Sequence, residues 1–130
     1  MNGQNLNDYR WENRILIIQS TDDTNQEYIS QLNESKDQET ELRDRKMLLC
    51  KVVGDNYQLT NYLIPTEDNT WQSIDDSFKN KFKSTEEFQI ILIGLDGDTK
   101  FTKNKIQKIE ELYRIIDSMP MRSSELRNKN

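Results

Sequence analysis

The chain has 130 residues, a formal net charge of −5 and one cysteine, and it contains no histidine and no alanine. That composition excludes a Cys/His metal centre, Ser-His-Asp or Cys-His catalysis, and a disulfide framework within one chain. The acidic balance argues against nucleic acid as a partner, because neutralising phosphates takes a positive surface.

A single domain, residues 1–130, is the simplest organisation at this length. Charged residues reach 32%, yet the apolar ones are clustered rather than diluted, which points to a packed core and not to disorder. No run approaches the ~18 apolar residues of a membrane span. Residues 1–9 lack the positive end and apolar stretch of a secretory leader. One cysteine suits the cytosol and an exported protein equally, so the compartment stays open.

The elements follow in chain order. Ile15-Leu16-Ile17-Ile18 is a continuous apolar run suited to a strand buried on both faces. Residues 20–25 then offer several helix-capping side chains, with Glu27 three residues after Thr24 as a capping-box partner; Tyr28, Ile29 and Leu32 continue at helical spacing. Leu42 stands alone in a charged segment and suggests a short helical turn. Met47–Val53 reads as a second buried strand, ended by Gly54-Asp55-Asn56. Residues 55–72 form a variable polar insertion in which Tyr57, Leu59, Leu63 and Ile64 alternate imperfectly, and Pro65 begins a loop. Ile74, Phe78 and Phe82 predict an amphipathic helix over 73–83. Residues 88–94 make a third strand. Asp96-Gly97 signals a two-residue hairpin turn into a fourth strand at 99–102. Ile106, Ile109, Leu112, Tyr113 and Ile116 mark the last helix, which Pro120 ends near Ser118.

The order is β-α-β-α-β-β-α, with the domain core at about 9–119. The first two strands should be parallel through a right-handed crossover, and the last two antiparallel. One four-stranded mixed sheet in the order 2-1-3-4, with helices on its faces, gives an α/β three-layer sandwich of thioredoxin-like type.

Three stretches carry a resemblance: Tyr9-Arg10-Trp11-Glu12-Asn13-Arg14, Leu92-Ile93-Gly94-Leu95-Asp96-Gly97, and Ile116-Asp117-Ser118-Met119-Pro120-Met121-Arg122. The chain resembles, over about residues 6–127, a peroxiredoxin-like domain of unknown function found in small bacterial proteins. The same domain occurs in secreted vertebrate sushi-repeat and matrix-associated proteins. The resemblance implies a thioredoxin-like fold and supplies no activity. This chain departs from the family by a longer polar insertion at residues 55–70.

Thioredoxin-like enzymes hold their reactive thiol after the first strand, where a helix N-terminus stabilises a thiolate. Here residues 20–26 hold no cysteine, and Asp22 and Asp23 there would raise the pKa of a nearby thiol. The cis-proline position reads Glu87-Phe88-Gln89. Cys50 lies in an apolar strand and reads as a buried core residue. Asp96 and Asp98 lack the further ligands of a calcium loop. Glu86-Glu87 and Glu110-Glu111 are adjacent pairs pointing in different directions, so neither is a catalytic dyad.

Arg10, Arg14 and Arg122 suit bidentate recognition of a small anion, or alternatively pair with Glu12, Asp117 and Glu125 to tie the chain ends down. Trp11 with Met119 and Met121 reads as a hydrophobic clasp, and Trp71 as an exposed aromatic contact. The expected function is therefore a redox-inactive, non-catalytic interaction module without a cofactor or metal. Its binding candidates are Arg10, Trp11, Arg14, Trp71 and Arg122, and its expected partner is another protein. The alternatives are a peroxiredoxin-like oxidoreductase with an atypical site and an anion-binding module built on the three arginines.

Overall fold

A computed structural model of the chain describes residues 9–62, 70–74 and 86–128. In chain order the described elements are β1 (Arg14–Ser20), α1 (Gln26–Glu34), α2 (Glu39–Asp44), β2 (Met47–Val53), β3 (Asn56–Asn61), β4 (Gln72–Ser73), β5 (Phe88–Ile93), β6 (Thr99–Lys103), α3 (Ile109–Asp117) and α4 (Pro120–Asn128). The strands form one mixed sheet in the order β4-β3-β2-β1-β5-β6. β1 runs parallel to β2, with Ile17 opposite Cys50, and antiparallel to β5, with Ile17 opposite Ile91.

Alternation along the strands divides the core in two. Leu16, Ile18, Met47, Leu49, Ile90 and Leu92 face Tyr28 of α1, Leu42 of α2, and Ile109, Leu112 and Ile116 of α3. Ile15, Ile17, Leu48, Cys50, Val52 and Ile91 face the other side, with Tyr57 buried among them and Leu59 and Ile74 packed against them. The central strands therefore need apolar residues at every position, which is why they read as continuous runs.

The inner four strands, β2-β1-β5-β6, keep the expected order and directions. The expected four-stranded sheet is corrected to six, because the polar insertion adds β3 to the open edge of β2 and β4 beyond it. β3 gives only a weak apolar pattern because, of its three residues on the core-facing side, Tyr57 and Leu59 are apolar and the buried Asn61 is polar. The helix expected over 73–83 begins on Ser73, which lies in β4; residues 75–83 of it fall outside the described residues.

Three local expectations also change. Asn25, not Thr24, caps α1, its side chain accepting from the Tyr28 N–H at 2.9 Å. The β5–β6 connection is a three-residue loop: the Gly97 N–H donates to the Gly94 carbonyl, and of the two expected turn residues only Gly97 has a positive φ. That is a turn closed by a left-handed glycine rather than a two-residue turn. Pro120 does end α3 beyond its C-cap at Ser118, but it also opens α4, since a proline fits the first turn of a helix.

Candidate functional site

At the amino end of β1, Arg14 and Arg122 are 0% and 2% exposed. A guanidinium buried that deeply needs its donors matched, and every guanidinium nitrogen of the pair except the Nε of Arg14 has a partner. Arg14 donates from Nη1 to the Arg45 carbonyl at 2.9 Å, and from Nη1 and Nη2 to the two oxygens of Glu125 at 3.3 and 3.2 Å. Arg122 donates from Nε to Asp117 at 3.0 Å, from Nη1 to the Asp44 carbonyl and to Glu125, and from Nη2 to the Asp44 carboxylate at 2.6 Å. Arg45 shares Asp117 through Nε and Nη2, reaches Glu41, and lies 4.0 Å from the centre of the Tyr113 ring. The cluster binds the ends of α2, α3 and α4 to the start of β1.

Burial on its own would raise the Asp117 and Glu125 carboxyls. Hydrogen bonds from Arg45 and Arg122 to Asp117, and from Arg14 and Arg122 to Glu125, outweigh it and hold both below the usual carboxylate range. Burial likewise opposes the charge on Arg122, and Asp44, Asp117 and Glu125 reverse that.

The expected partners Asp117 and Glu125 are thus brought together with Arg14 and Arg122. Arg45 and Asp44, equally central, lie in a charged stretch with no periodicity to single them out. Arg10 is elsewhere: it is exposed, 5.2 Å from the Trp11 ring centre, and packs beside Gly97 in the β5–β6 loop. Trp11 is 57% exposed, so it is not part of a buried clasp with Met119 and Met121. Its N–H donates to the Leu95 carbonyl at 2.6 Å while its φ is +72°, and with the backbone held there the indole stands in water.

The opposite end of the sheet is built differently. The Gly54 N–H donates to the Ser20 carbonyl and the Thr21 N–H to the Glu87 carbonyl, which fixes the β1–α1 turn against its neighbours. Beside this turn lies a pocket of about 240 Å³ lined by Asp23, Val53, Asn56 and Trp71. Trp71 is 46% exposed. Asp22, on the same turn, accepts from the side chain and the N–H of Thr24, which hold its carboxyl below the usual range. Trp71 was legible as an exposed aromatic, and Asp23 as an acid at a helix start. Val53 and Asn56 join them only through strand register, which the sequence does not display.

Cys50 is fully buried in β2, and burial pushes its thiol up to about 12. Asp96 serves the β5–β6 loop, accepting from the Asp98 N–H at 3.0 Å and from Lys100 at 2.8 Å. Among the described residues no group of three or more Cys, Asp or Glu side chains is placed to hold a metal ion, and no helix is long and apolar enough to cross a membrane.

Comparison with known proteins adds the family. Residues 5–125 match the family described as a domain of unknown function, DUF4174. The chain belongs to that family. It is also similar to coiled-coil domain-containing protein 80 of Danio rerio, at 25% identity over 133 residues. That alignment covers 93% of this chain and 15% of the relative, so the chain spans only a small part of that protein's length. No solved structure matches. The family description assigns no activity, so any function has to be argued from the geometry.

Proposed function

We propose that this domain is a non-catalytic, thioredoxin-like binding module that recognises a partner protein at the carboxyl end of the β1–β2 pair. The inner strand order β2-β1-β5-β6, with β1 parallel to β2 and antiparallel to β5, supports the thioredoxin-like reading. In α/β sheets the carboxyl ends of parallel strands are also where ligands bind.

The observation that carries the proposal is the placement of the one thiol. A redox site on this scaffold needs an accessible, acidified cysteine where α1 begins. That turn instead runs Thr21-Asp22-Asp23-Thr24-Asn25, with Asp22 held ionised. Cys50 lies inside the sheet, and its raised pKa leaves a negligible thiolate fraction at neutral pH. The peroxiredoxin likeness is therefore one of shape. An anion held by Arg14 and Arg122 would have to displace Glu125 from both, so the arginine cluster reads better as a structural tie.

Peroxide consumption and thiol titration test the reading, on the native protein and on Cys50→Ser and Cys50→Ala. The expected result is no consumption in any form and no titratable thiol before unfolding. Peroxide turnover that both substitutions abolish would establish an oxidoreductase instead.

A further inference from the structure

The two tryptophans differ in what covers them. Trp11 has the Arg10 guanidinium 5.2 Å from its ring centre. Trp71 is nearly as exposed, yet among the described residues no arginine or lysine stacks on it. Among the described residues it lines a pocket together with Asp23, Val53 and Asn56. Register explains the grouping. Val53 lies opposite Asn56, and Asn56 opposite Ser73, so three strands meet at one sheet corner, and Trp71 is two residues before Ser73.

Among the described residues the lining is one aromatic, one carboxylate, one amide and one aliphatic side chain, with no basic residue. Asp22 adds a second negative charge on the adjoining turn. Lys51 is two residues before Val53 on the same face but lines a separate groove with Leu49 and Thr60. An indole face attracts a cation through its quadrupole, and a nearby carboxylate adds a Coulombic term. An apolar wall suits the methylene stem of a long basic side chain.

We propose that this pocket takes the guanidinium or ammonium head of a basic side chain presented by a partner protein. The cation stacks on Trp71, Asp23 supplies the counter-charge, Asn56 accepts a hydrogen bond through its amide oxygen, and the stem lies along Val53. The inference rests on the binding-module reading and gives the module a ligand chemistry.

The two indole N–H signals in a proton–nitrogen NMR spectrum provide the test, with Trp71→Phe assigning the reporter and Trp11 serving as internal control. The probes are an acetylated, amidated Gly-Arg-Gly peptide, its lysine counterpart, the neutral citrulline counterpart, and tetramethylammonium chloride. The expected result is a saturable shift of the Trp71 signal with the arginine or lysine peptide and none with citrulline. Asp23→Asn should weaken binding by about two- to fivefold, as for an exposed ion pair. No saturable shift, an equal response to citrulline, or a response to tetramethylammonium alone would overturn the proposal. These outcomes are separate from those of the redox assay. Peroxide turnover dependent on Cys50 would overturn the non-catalytic reading, whereas failure of the basic peptides with a silent thiol would overturn this pocket assignment alone.

Discussion

Cys50 has Ile17 across one side of its strand and Leu59 across the other, in a layer closed to water. A reagent such as Ellman's can reach its sulfur only when the sheet opens. For a domain of ordinary stability, native labelling should be at least about a thousandfold slower than labelling in denaturant. Its rate should follow the urea unfolding curve; fast labelling in native buffer would contradict the burial. Arg122 is buried to a similar degree but is charged, and it holds Asp44, Asp117 and Glu125 together. Arg122→Ala leaves those carboxylates without their shared donor and should cost about 3–5 kcal/mol in urea denaturation. Arg10→Ala, at an exposed position, should change stability by less than about 0.5 kcal/mol. At this scale the sequence was half legible. Arginine opposite Asp117 and Glu125 follows from charge. That Arg14 and Arg122 are almost wholly buried does not, because charge in a sequence carries no sign of depth.

Elements differ in how they announce themselves. β1, β2 and β5 are buried on both faces and so appear as apolar runs. β3 was obscured by its mixed exposure, although Gly54-Asp55 between Val53 and Asn56 is itself a two-residue hairpin signal. α4 lacks an apolar stripe and docks through Arg122 and Glu125, so a search for hydrophobic periodicity passes over it. The α1–α3 contact is also polar. Gln31, 1% exposed, donates to the Gln107 carbonyl and accepts from the Gln107 N–H, both at 2.9 Å. Glu34 accepts from the Ile109 N–H, supplying the cap that Lys108 does not provide with its side chain. Gln31→Leu is nearly equal in size but strands a buried donor and acceptor. It should destabilise by about 2–4 kcal/mol, on the scale of two unmet backbone groups. Glu34→Gln, which keeps an accepting oxygen, should lose less than about 1 kcal/mol. Chemical denaturation of the two variants checks both, and equal losses would show that the Gln31 bonds carry no special weight.

Across the whole molecule the two ends of β1 and β2 are built differently. The amino end is tied by matched charges among α2, α3 and α4, while the carboxyl end carries the acidic turn and the half-exposed indole. The tie at the amino end makes part of the stability depend on pH. Asp117 and Glu125 have folded-state pKa values below their ordinary values of 3.8 and 4.5. A carboxyl depressed in this way contributes stability above its unfolded pKa and loses it as pH falls through the folded value. The tie is therefore intact at neutral pH and stays so until acidity passes the ordinary carboxylate range. Before that, as pH falls toward the sequence pI of about 4.8, the net negative charge fades and self-repulsion with it. The urea midpoint should thus hold level or rise slightly from neutral pH to about pH 5, then drop steeply below about pH 4. Glu125→Gln keeps the size and one accepting oxygen but cannot ionise. It should lower the neutral plateau and flatten the acid drop, bringing the two curves together at low pH. Parallel curves at all pH values would show that the Arg14–Glu125–Arg122 tie is not what acid releases.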